Sequence, residues 1–163
     1  MWGRLSASGG IKALRFERDY AVPVAKLWAA LTTPERIGDW LCADAQIELR
    51  QGGRFHLAFR NFAHSITGEI TRIEPPHLLE YTWPEQEANG NSLVRWELSA
   101  TKSGCHLVLT HSLTKGGDAA DFASGWHYHL DALGPAAAGV ATAWSEQAWR
   151  ALQSAYRARF TAA

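Results

Sequence analysis

Between Ala43 and Ser112 the apolar residues fall on alternate positions, and from Phe122 onward they fall three and four apart. That change of period restricts the possible folds more than any other feature. Ile47 and Leu49, Phe55, Leu57 and Phe59, Leu79, Tyr81 and Trp83, Val94, Trp96 and Leu98, and Leu107, Leu109 and His111 keep the two-residue spacing of strands with one apolar face. The stretches "QGGR", "EPPH", "EQEANGN" and "TKSG" separate these runs with turn-forming Gly, Pro and Asn. The pattern predicts an antiparallel meander of about six strands. Phe122, Trp126, Leu130, Leu133 and Ala137 then form a helical stripe, so a long helix should follow, weakened or ended at Gly134 and Pro135.

Upstream, "KALRFERDYAVP" reads as a first strand, and "VAKLWAALTTPERIGDWL" as two short helices, the second opened by Thr33 and Pro34. The fold class is therefore α+β: a strand, two short helices, six strands and a long closing helix, about seven strands in all. Residues 1–12 are expected to be a loose leader, 13–139 the domain, and 140–163 an additional amphipathic helix packed on it. That last helix carries Trp149, Leu152, Tyr156 and Phe160 on one side. The stripe needs a partner, either the domain itself or a second copy, so the chain is expected to be a monomer or a homodimer.

Sixteen basic and sixteen acidic residues among 163 give zero formal net charge. Such a chain has no overall field to draw in nucleic acid or an anionic membrane, and neither is an expected partner. Cys42 and Cys105 stand far apart with no metal or redox spacing and are read as reduced core thiols. No apolar stretch has the length of a signal core or a membrane span, so a cytoplasmic location is expected. Eight tryptophans are the abnormal count: they suit a wide core or a pocket.

The stretch "GWHYHLDAL", Gly125 to Leu133, sets His127 and His129 two apart on the closing helix. They diverge by roughly 200° and cannot share a metal ion. His129 lies with Trp126, Leu130 and Leu133 on the sheet-facing side, whereas His127 and Tyr128 should be more exposed. His129 and the inward-facing His111 each have two readings: a buried histidine bonded within the fold, or a polar anchor on a pocket wall. No nucleophile elbow, zinc helix, phosphate loop or dinucleotide motif is present. Glu80 and Glu97 fall out of phase with the inner face, and Glu69 depends on whether a bulge reorients it. Arg54 and Arg60 are read as surface residues. Neither a metal nor a cofactor is expected.

Trp40, Phe55, Phe59, Trp83, Trp96 and Trp126 come from five different elements yet all take inner-face positions. With His111, His129, Leu130 and Leu133 they form the candidate pocket. They could equally fill the core, where each such side chain is worth around 2 to 3 kcal/mol.

The order of elements, together with "VAKLWAALTTPERIGDWL", "GGRF", "GEITRIEPPHLLEYTW", "LVLTHSL" and "GWHYHLDAL", resembles the family named for the activator of the ninety-kilodalton heat-shock ATPase, over roughly Arg15 to Leu133. That family lies within the START/Bet v 1-like, helix-grip (SRPBCC) superfamily. The resemblance implies a curved sheet wrapping the closing helix, with a hydrophobic cavity between them, and a small-molecule-binding protein of unassigned ligand. A cyclase, aromatase or hydrolase-like enzyme using His111 or His129 as acid-base group is the first alternative; a co-chaperone or regulatory interaction protein is the second. The co-chaperone branch that gives the family its name carries a further amino-terminal domain, for which 163 residues leave no room.

Overall fold

The structure, a computed structural model, describes residues 1–8, 10–41, 43–84, 91–113 and 118–161. Cys42 and residues 85–90 and 114–117 lie outside them. The order is β1 (Arg4–Ser8), β2 (Ile11–Tyr20), α1 (Val24–Thr32), α2 (Pro34–Ile37), β3 (Ala43–Ile47), β4 (Arg54–Phe59), β5 (Ser65–Glu74), β6 (Leu78–Pro84), β7 (Asn91–Thr101), β8 (Gly104–Leu113), α3 (Ala119–Ala137) and α4 (Glu146–Thr161). All strand pairs are antiparallel and form one sheet in the order β1-β2-β8-β7-β6-β5-β4-β3. The meander is the six strands from β3 to β8; β2 closes on β8 and so leaves α1 and α2 to cross the end of the sheet.

Strand β5 carries an irregularity midway along its length. Ser65–Glu69 pair with β4, then the register shifts between Ile70 and Arg72, and Ile70–Glu74 pair with β6. A strand that changes neighbour halfway along its length turns the sheet round the closing helix. Glu69 stays exposed at this bend. Glu80 and Glu97 lie on the outer face, both bonded to Arg95. Arg60 holds Asp44 there too.

Three expectations need correction. Residues 1–12 are not a loose leader: Arg4–Ser8 pair with Lys12 to Arg15 and Ile11 as strand β1, making eight strands rather than seven. Helix α3 does not stop at Gly134 and Pro135 but runs to Ala137. Pro135 falls in the last turn, where losing one amide bond and bending slightly costs less than it would at mid-helix. His127 is not exposed but buried. Its face of α3 is covered by α4 and by the N-terminal Trp2, whose ring meets His127 at 5.0 Å and Tyr156 at 5.1 Å.

Tyr156 is the link between these pieces. Its hydroxyl accepts from the Gly3 amide at 2.8 Å and is hydrogen-bonded to His127 Nδ1 at 2.9 Å, fully buried. The N-terminal segment, α3 and α4 thus meet at a single oxygen. Tyr156→Phe strands a buried amide and a buried ring nitrogen, so it should cost about 1 to 3 kcal/mol. Urea unfolding of the variant measures this; an unchanged midpoint would show that the junction is not structural.

Cys105 is a free, buried thiol, and burial raises its pKa. Among the described residues no helix is long and apolar enough to cross a membrane.

Candidate functional site

Of the ten side chains that the sequence places around one central lumen, six are packed together as buried core. Trp96 stands edge-on to both Trp40, at 5.9 Å and 85°, and Trp126, at 5.4 Å and 85°. Phe55 stacks on Tyr81 at 4.1 Å. The indole N–H of Trp40 donates to the Ala30 carbonyl, and that of Trp96 to the Tyr81 hydroxyl. Trp40, Phe55, Trp96, His111, Leu130 and Leu133 are all buried in this solid packing. Interlocked edge-to-face rings pack this part of the interior densely.

His111 is the clearest case. Trp126 Nε1–H donates to its Nδ1 at 2.9 Å. Its Nε2 lies 2.8 Å from Ser92 Oγ, whose single proton goes to the Trp83 carbonyl at 2.8 Å. Ser92 must therefore accept, and His111 is the neutral Nε2–H tautomer in a one-way relay from Trp126 to Trp83. Both ring nitrogens are spent, and burial lowers its pKa to about 3. His111 has neither a free lone pair nor a free proton to offer a ligand.

The open space lies to one side of that core, at the N-terminal half of α3. A cavity of about 330 Å³ is walled on the inside by Phe59, Trp83, Phe122 and Trp126, and on the outside by Phe62, Trp144 and Trp149. Leu41, His64, Gly125 and His129 complete it, with Asp118 and Asp121 among its lining residues at the start of α3. Of the ten sequence-derived residues, Phe59, Trp83, Trp126 and His129 line this space. The outer wall was missed because Phe62 and His64 sit in the turn after β4, and Trp144 in the irregular link between α3 and α4. No period marks such residues; the high aromatic content of the C-terminal segment was the available signal.

Packing holds the outer wall. Phe62 is edge-on to Trp144 at 5.6 Å and to Trp149 at 5.9 Å, and the two indoles are 6.0 Å apart. Trp144 also stacks on His129 at 5.9 Å and 27°. Behind it, the Tyr128 hydroxyl donates to the Ala143 carbonyl and accepts from the Ser145 amide, pinning the link. Ser145 in turn caps α4 through the Ala148 amide.

His129 Nδ1 donates to the Trp40 carbonyl at 3.0 Å, which leaves Nε2 as an acceptor with no partner among the described residues. Burial lowers its pKa to about 4, against the opposing pull of the Trp40 bond. At neutral pH the pocket therefore contains a neutral imidazole that can accept a hydrogen bond.

These two histidines set a pH dependence. In the unfolded chain both return to about 6.5. Below that value the unfolded state gains protons that the folded state refuses, so stability is complete above pH 6.5 and falls as the pH drops toward 4. The slope is up to about 1.4 kcal/mol per pH unit for each histidine. Urea unfolding at pH 7.5, 6.0 and 5.0 should show a steady loss; a rise on acidification would contradict both burials.

Comparison with known proteins agrees with the fold. The sequence pattern described as "Activator of Hsp90 ATPase homolog 1-like protein" matches residues 21–138. A search of the curated proteins finds no match. Among solved structures, the crystal structure of CalU16 from Micromonospora echinospora is 28% identical with a TM-score of 0.74, covering 96% of this chain and 93% of that one. The solution structure of a protein from Bordetella parapertussis is 26% identical with a TM-score of 0.74, covering 94% and 87%. A conserved protein of unknown function from Enterococcus faecalis, at 16% identity and a TM-score of 0.76 over 98% and 90%, shares the fold. With the curved sheet, the closing helix and the matched segment in agreement, the chain belongs to the Activator of Hsp90 ATPase homolog 1-like family, on the helix-grip fold of the START/Bet v 1-like (SRPBCC) superfamily.

Proposed function

We propose that this protein binds a small, largely apolar aromatic ligand in the cavity beside α3, oriented by a hydrogen bond from the ligand to His129 Nε2. The observation that carries the reading is the contrast between two aromatic groups. In the core, Trp40, Trp96 and Trp126 interlock and each indole N–H has an internal acceptor. Around the cavity, the Trp83, Trp144 and Trp149 indoles have no hydrogen-bond partner among the described residues, and the rings line a space of about 330 Å³. Aromatic surface held apart in this way is costly unless something fills it, and the volume suits a ligand of one or two rings.

The polar geometry supports a binding role. His111, one of the two candidate acid-base groups, is locked in its relay, and His129 with a pKa near 4 is a weak base at neutral pH. His129 serves better as an acceptor, which selects a ligand bearing a hydroxyl or N–H group.

Tryptophan-fluorescence titration with 3-tert-butylphenol, and with its methyl ether lacking the donor, tests this. Saturable quenching is expected for both, with the phenol bound about fivefold tighter, the worth of one modest hydrogen bond. Absence of saturable quenching by either compound, from a protein shown to be folded, would overturn the proposal.

A further inference from the structure

The charge on the cavity wall carries the reading one step further, to the class of ligand. Among the described residues the lining includes two carboxylates, Asp118 and Asp121, and no lysine or arginine. Asp118 Oδ1 accepts the Ala120 and Asp121 amides, so the positive end of α3 is already occupied and offers nothing to an anion. Asp121 Oδ1 is held by Gln153 at 2.6 Å and by Arg157 at 3.2 Å, leaving its Oδ2 without a partner. Arg157 is also 3.9 Å from Asp118 Oδ2. Among the described residues one exposed guanidinium thus stands against two carboxylates, which leaves the pair a net negative charge.

The walls add the same preference. Trp83 meets Trp126 at 66° and Phe59 at 53°, while Phe62 meets Trp144 at 81°. These rings all line the cavity, so aromatic π faces border a guest from several sides. Those faces carry negative potential and attract a cation, and they do so most strongly where water is excluded. His129 is neutral and acceptor-only, so it does not oppose a positive guest; the other imidazole of the lining, His64, is exposed to solvent.

We propose that the cavity selects a compact organic cation, an arylammonium or alkylammonium group with an attached hydroxyl or N–H donor, held between the tryptophan walls and the Asp118–Asp121 carboxylates. The proposal rests on the ligand-binding reading above and adds the sign of the ligand's charge. An ammonium sits among the rings with its charge near the carboxylates, while the donor reaches His129 Nε2. A carboxylate or sulfonate ligand meets like charge, with no lysine or arginine among the described lining residues to offset it.

The test compares three probes of matched shape by calorimetry: (3-hydroxyphenyl)trimethylammonium, neutral 3-tert-butylphenol and 3-hydroxybenzenesulfonate. The cation is expected to bind about tenfold tighter than its neutral counterpart, about 1.4 kcal/mol, and the sulfonate weakest. In the double variant Asp118→Asn and Asp121→Asn, which retains a capping side chain, the ratio of cation to neutral affinity should collapse toward one. If the neutral phenol binds as tightly as the cation or tighter, the charge selection is overturned while the binding reading stands. If the ratio survives in the double variant, the role of the carboxylates is overturned. If none of the three binds, both readings fall together.

Discussion

Gly125→Leu should abolish binding of 3-tert-butylphenol, weakening it by tenfold or more, while leaving the protein as stable as before. Gly125 sits within α3, where glycine costs about 0.5 to 1 kcal/mol relative to alanine. Nothing in its backbone geometry demands it: it does not have a positive φ, and a Cβ built there meets no atom within 4 Å. The space that Cβ would enter is the cavity, which Gly125 lines. The glycine therefore keeps a volume open at the cost of some helix stability. Gly125→Ala should raise stability by about 0.5 to 1 kcal/mol and only shave the cavity. Gly125→Leu extends a branched side chain across it toward Trp144 and Trp149. Urea unfolding and the quenching titration on the same two variants separate the effects. A leucine variant that binds the phenol like the wild type would place the ligand elsewhere.

Trp96→Ala and Trp149→Ala should behave oppositely. Trp96 is 1% exposed, wedged between Trp40 and Trp126, and its N–H satisfies the Tyr81 hydroxyl. Its removal leaves a void in packing that cannot collapse from three sides, costing about 3 to 5 kcal/mol. Against a typical total of about 5 to 15 kcal/mol, that variant stands near unfolding at ambient temperature. Trp149 lies half-buried on the outer wall, touching Phe62 and Trp144 across ring edges. Its removal should cost about 1 kcal/mol or less yet weaken probe binding several-fold, because it removes one side of the cavity. Equal stability losses in the two variants would erase the distinction between core and pocket tryptophans.

Period and turn chemistry carried much of the fold. The alternation from Phe55 to His111 places inward the residues found buried, and the stripe through Trp126, Leu130 and Leu133 faces the sheet. Strand β1 escaped because "RLSAS" offers no alternation, and four of its five residues are exposed; only pairing with β2 makes it a strand. The extent of α3 escaped because a local rule against proline is weakest in a final turn, as at Pro135.

The site was legible only in part, and for a physical reason. Strand parity tells which way a ring points but not whether facing rings touch. Trp40, Phe55 and Trp96 point inward and close on one another; Phe59 and Trp83 point inward and leave a gap. The difference lies in longitudinal position along the curved sheet, which parity does not record. His127 shows a further limit: its burial depends on Trp2 and Tyr156, residues 125 positions before it and 29 after it in the chain.

The most direct measurement is a titration of the 15N-labelled protein with 3-tert-butylphenol, following the tryptophan indole N–H signals after assignment by single Trp→Phe variants. The account predicts that Trp83, Trp144 and Trp149, which line the cavity with free N–H groups, shift in a saturable way. The Trp40 and Trp96 signals, tied to Ala30 and Tyr81 in the packed core, stay in place. Shifts centred on Trp40 and Trp96, with the other three unmoved, would put the ligand in the central lumen and contradict the account.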